Sequence, residues 1–159
     1  MPRLSSSRIL TAAVSAVLAV YTSLAAAGDD GHKDHPARDG APLELAVLGT
    51  YSTRLGPTSA EIVAFDASSA RLFVSNAVTS TIDIVDARDP AHLVKTASID
   101  VSAFGVPNSV SVGAGVVAVA IEAVPKTNPG FVAFFKSDGE LINSVQVGAQ
   151  PDMLRFTPD

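Results

Sequence analysis

The sequence has no cysteine anywhere in its 159 residues. Disulfide bonds, thiolate nucleophiles and thiolate metal sites are therefore excluded, and any metal must be held by oxygen or imidazole. Basic residues are few, 11 Lys+Arg against 16 Asp+Glu, and they are scattered rather than clustered. Nothing offers the phosphate-neutralising stripe that nucleic-acid binding requires, so no nucleic acid is expected as a partner. The common catalytic and nucleotide-binding motifs are absent too: no G-x-S-x-G elbow, no G-x-x-x-x-G-K-[ST], no H-E-x-x-H and no EF-hand loop. Gly113-Ala114-Gly115 lies between two apolar runs and reads as a tight hairpin, not as part of a dinucleotide fingerprint. A Ser109–His92 pair is not expected either, because His92 falls on an outer connection from which it would have to reach across the unit.

One long apolar run is present, near the N-terminus. Arg3 and Arg8 precede an apolar stretch from Ile9 to Val20, and small residues end it at Ala25-Ala26-Ala27. Positive charge, apolar core and an A-x-A end in that order form a secretory signal peptide, helical over 9–27 and cleaved after Ala27. An extracytoplasmic location follows: secreted, periplasmic or cell surface. The alternative, an uncleaved membrane anchor, is weakened by Thr11, Ser15, Thr22 and Ser23 within the run. Residues 28–42, GDDGHKDHPARDGAP, hold almost nothing apolar and read as a flexible linker. His32 and His35 there lack any fixed geometry for a metal.

From Leu43 onward, runs rich in Val, Ile, Phe and Ala alternate with clusters of Gly, Pro, Asn, Asp and Ser, and no helical stripe appears. LELAVLG is expected to be a first strand, followed by IVAFD, RLFVSN, TIDIVDA and VKTASIDV. A second set, SVSVG, VVAVAIE, FVAFFKS and LINSVQVG, begins 47 residues on, counting from Val63 to Val110. A third copy, DMLRFTPD, starts at Asp152 and supplies one more strand. Four strands per period of about 40 to 50 residues mark the blade of a β-propeller. The expected fold is all-β: two four-stranded blades with partial flanking strands, residues 43–159, after a signal peptide and a linker. The other blades of such a propeller would be missing from this chain.

The phrases LGTY at 48–51, AEIVAFD at 60–66, RLFVSN at 71–76, PNSV at 107–110, VAVAIE at 117–122 and GAQPDML at 148–154 together resemble the choice-of-anchor I family. That resemblance implies an exported or cell-surface propeller. Members often carry alkaline-phosphatase-like or esterase-like phytase-like labels, which imply a metal-dependent phosphoesterase as an alternative activity. No catalytic residue can be carried over to this chain.

Antiparallel neighbours place the start of an innermost strand and the end of the second strand on one side of a propeller. Glu61, Asn108 and Asp152 are repeat-equivalent starts, and Asn76 and Glu122 the corresponding ends. These five oxygen-bearing side chains are the candidate ligand- or cation-binding residues, Ca²⁺ being the cation that an oxygen ring suits. The competing reading is that each satisfies backbone groups at a strand end through a local turn. The expected function is a non-catalytic exported module that binds a cell-surface or extracellular ligand.

Overall fold

A computed structural model describes residues 45–157. The expected signal peptide at 1–27 and the expected linker at 28–42 lie outside the described residues. Eight strands run in order: β1 (Val63–Asp66), β2 (Arg71–Asn76), β3 (Thr81–Asp86), β4 (Val94–Asp100), β5 (Val106–Gly113), β6 (Val116–Glu122), β7 (Pro129–Lys136) and β8 (Leu141–Ala149). They form two four-stranded antiparallel meanders, β1-β2-β3-β4 and β5-β6-β7-β8, with no crossover. No helix among the described residues is long and apolar enough to cross a membrane.

Turn chemistry sets the hairpins. Ala114 and Gly115, with φ of 49° and 77°, join β5 to β6 in the doubly left-handed turn whose twist suits adjacent strands. Asp138 accepts the Glu140 N–H at 3.1 Å and Gly139 takes φ 100° between β7 and β8. The repeat extends to its irregularities. The pairing of third with fourth strand slips by one residue between Ile84 and Val85 in the first sheet, and between Phe134 and Phe135 in the second. Those positions correspond, since Phe73 pairs with Ile84 as Ala118 pairs with Phe134.

The two sheets stack face to face. Phe73, Ile82, Ile84 and Ile99 from the first sheet interlock with Val117, Val119, Ile121 and Phe135 from the second, all buried. On the far side of the first sheet, Leu72, Val74 and Val85 form a smaller cluster covered by Tyr51, Ala60 and Leu93. The chain before β1 thus lies as a strap across that face. It is pressed down at Gly49, where a Cβ would stand 2.0 Å from the Pro90 carbonyl oxygen.

Two expected strands do not form. Of LELAVLG, residues 45–49 carry no strand; an isolated bridge stands just beyond it, at Tyr51. Residues 151–157, the third copy, also carry none. Apolar periodicity is not enough for a strand, which needs a partner edge to satisfy its N–H and C=O groups. Neither segment has a ladder partner among the described residues. Side chains help to hold each in place: Tyr51 on the first sheet, and Phe156 against Gly113 at the start of the β5–β6 turn.

Candidate functional site

β1 and β5 are the first strands of their sheets, and each is paired along one side only. Their open edges converge on a groove of about 480 Å³, lined by residues 61–64, 108–111 and 152–155. Glu61, Asn108 and Asp152, the three repeat-equivalent starts, therefore share one groove. Asn76 and Glu122 do not line it.

Each of the five side chains has a distinct setting. Asn76 is buried, and its Oδ1 accepts the Thr79 N–H at 3.3 Å, closing the β2–β3 turn. The local-turn reading accounts for it. Glu122 is buried at the end of β6; its Oε1 takes an ammonium bond from Lys126 at 2.9 Å and its Oε2 accepts the Asn108 amide at 3.1 Å. Burial pushes the Glu122 carboxyl up, but Lys126 and Asn108 outweigh it and hold the group below its ordinary value. Asn108 falls where the β5–β6 register shifts between Pro107 and Ser109. A bulge of this kind re-aims a side chain, and here the Asn108 amide reaches both Glu122 and the Pro151 carbonyl, the latter at 3.1 Å. One side chain thus ties the second sheet to the segment that forms the groove's far wall.

Glu61 and Asp152 are exposed, and neither side chain bonds another described residue. That sets them apart from the strand-end acids Asp66, Asp86, Asp100 and Asp138, each of which accepts the backbone N–H two residues on. Arg155 lines the same groove, also without an ion-pair partner among the described residues. Among the described residues no three of His, Asp and Glu come together to hold a metal ion.

Sequence reasoning missed a second polar centre. Asp83, on the strap-covered face of the first sheet, is 1% exposed. It accepts bonds from the Tyr51 hydroxyl at 2.7 Å, the Lys95 ammonium at 2.6 Å and the Ser98 hydroxyl at 3.2 Å. Burial raises its pKa, yet Lys95 and Tyr51 together bring it below the usual carboxylate range. Tyr51 is driven the other way, well above an ordinary phenol, by burial first and by the Asp83 carboxylate second. The alternation I-D-I in TIDIVDA presents Asp83 as solvent-facing; the only hint otherwise is Val85, an apolar residue on the same face. A smaller hollow of about 220 Å³ at the opposite end of the strands is lined by Ser69, Arg71, Asp86, Arg88 and Thr96. Arg88 there forks onto Asp86, whose pKa it lowers to about 2.

Stacked four-stranded meanders with an open groove along their first strands define a repeat-built β module, and the comparisons assign its family. Residues 61–159 match the choice-of-anchor I domain, and the chain belongs to that family. Among solved structures it is similar to hydrazine synthase from Kuenenia stuttgartiensis, at 16% identity and a TM-score of 0.51, over 67% of this chain. This chain spans 27% of that one, and the likeness concerns the fold alone. No curated protein matches.

Proposed function

We propose that the chain is part of an exported, non-catalytic β-propeller module that binds a ligand or partner through the groove at β1, β5 and residues 152–155. The carrying observation is that the groove gathers the three repeat-equivalent positions Glu61, Asn108 and Asp152, with two of their side chains uncommitted to any local turn. The propeller reading draws support from how the repeats seat. Val110 and Val112 of β5 pack against the first sheet, and their counterparts 44 residues on, Leu154 and Phe156, line a hollow together with Ala118, Val132 and Phe134 of the second. Export rests on the signal-peptide pattern of residues 1–27 and accords with the family's description.

A phosphoesterase would need a cation and a positioned water. Among the described residues Glu61 and Asp152 are the only carboxylates that line the groove, and no observation favours that chemistry over binding. Isotope-labelled full chain, titrated with a mixture of small polar fragments, tests the proposal by amide chemical shifts. Perturbations should collect at residues 61–64, 108–111 and 152–155; a response confined to the Arg71–Arg88 hollow would refute the groove. Hydrolysis of an aryl phosphate in the presence of Ca²⁺, lost in Glu61→Gln with Asp152→Asn, would overturn the non-catalytic half.

A further inference from the structure

We propose that the groove takes a short extended peptide carrying a cationic and an anionic group two to three residues apart, the cation between Glu61 and Asp152 and the anion on Arg155. This rests on the groove being the ligand site and specifies what it recognises.

Three independent features converge on that class. First, β1 and β5 each leave one backbone edge without a ladder partner, and residues of both line the groove. An extended peptide can satisfy such an edge with its own main chain, which compact ligands do poorly. Secondly, the charges are placed and unspent. The chain's described ion pairs all lie elsewhere, at Arg88, His92, Lys95, Lys126 and Lys136. Glu61, Asp152 and Arg155 share one cavity without pairing to one another, so a ligand meets both signs at once. A polyanion would be repelled by the two carboxylates, and a bare cation would leave the guanidinium without a partner. Asp152 and Arg155 stand three residues apart, a reach of at most about 10 Å, which two or three residues of extended ligand would cover. Thirdly, the wall is held in place before any ligand arrives, since the Asn108 amide bridges Glu122 and the Pro151 carbonyl. A volume of about 480 Å³ falls within the range of pockets that enclose small ligands, so the bound stretch is short.

The test is fluorescence anisotropy of the full chain with a labelled, end-capped hexapeptide bearing lysine and glutamate three positions apart. The same peptide with serine at both positions should bind at least about tenfold more weakly, since charge-assisted contacts are at stake. Asp152→Asn, Glu61→Gln and Arg155→Gln, all at exposed positions, should each weaken the charged peptide by about tenfold while leaving the circular dichroism spectrum unchanged. Arg155→Glu should prefer a peptide in which lysine replaces glutamate. Equal affinity for the serine peptide, or indifference to Arg155→Gln, overturns the proposal. If the peptide fails to bind while polar fragments still shift residues 61–64 and 152–155, the peptide class is wrong but the groove stands as the ligand site; if neither acts there, both readings fall.

Discussion

Asp83 is the residue on which the strap depends. Its carboxylate collects Tyr51, Lys95 and Ser98, and no buried side-chain polar atom among the described residues lacks a partner. Asp83→Ala would leave the Tyr51 hydroxyl and the Lys95 ammonium without their acceptor. Because Lys95 is 43% exposed and can turn to water, the expected loss is about 3 kcal/mol, the lower end for a broken buried pair, measured by urea denaturation. Tyr51→Phe removes one bond to a charged acceptor and should cost about 2 kcal/mol. The pH dependence follows from the directions of the shifts. Asp83 has a folded pKa below its unfolded value of about 4, so its contribution is present above that pH and is lost as pH falls through the folded value. Tyr51 has a raised folded pKa, so its contribution is complete below about pH 10 and declines as pH rises towards the folded value. Stability profiles of the wild type and Asp83→Ala should therefore converge in acid; parallel profiles would deny the carboxylate its role.

At the scale of elements, the repeat explains what the sequence disclosed and what it withheld. Punctuation by Gly, Asp and Ser made the eight strands legible, RLFVSN and VVAVAIE to the residue, because each hairpin turn is built from residues adjacent in the chain. The groove's Glu61, Asn108 and Asp152 were legible for the same reason, as one position sampled three times. Asp83 was not, because its burial depends on a strap that arrives from Tyr51, 32 residues away. LELAVLG misled because an apolar run says nothing about whether a partner edge exists. The two sheets are also not interchangeable. The residue corresponding to Asp83 is Ala133, which pairs with Val119 as Asp83 pairs with Val74, and it is fully buried in the core between the sheets. Ala133→Asp would bury a carboxylate among Val110, Val119 and Phe135, and is expected to unfold the chain or raise the carboxyl's pKa far above its usual range. Recovery of a stable protein with an ordinary carboxylate there would contradict the packing of the sheets. Gly105→Ala should be nearly as damaging: φ is 138° and the added Cβ would stand 2.0 Å from the Glu122 carbonyl oxygen. Loss of cooperative thermal unfolding is the expected sign.

Among the described residues the two stacked sheets present two outward faces, and one is better covered than the other. On the first sheet the strap seals Leu72, Val74 and Val85. On the second, Leu154 and Phe156 border a gap of about 220 Å³ over Ala118, Val132 and Phe134, while Val145 on the neighbouring edge strand stays 50% exposed. By register this face corresponds to Phe73, Ile82, Ile84 and Ile99, which a whole sheet covers inside the same chain. Contiguous apolar surface beside an open strand edge favours association. Sedimentation velocity should therefore show the described chain self-associating as concentration rises. Val145→Lys places an ammonium on that face at its β8 edge, at a position already half in water, so it should reduce association without destabilising the monomer. Leu55→Lys, an equally exposed change on the strap loop, is the control and should leave association unaltered. If both substitutions act alike, net charge rather than the β6–β8 face governs the association; if Val145→Lys alone suppresses it, the contact lies on the surface that the repeat marks as an interface between sheets.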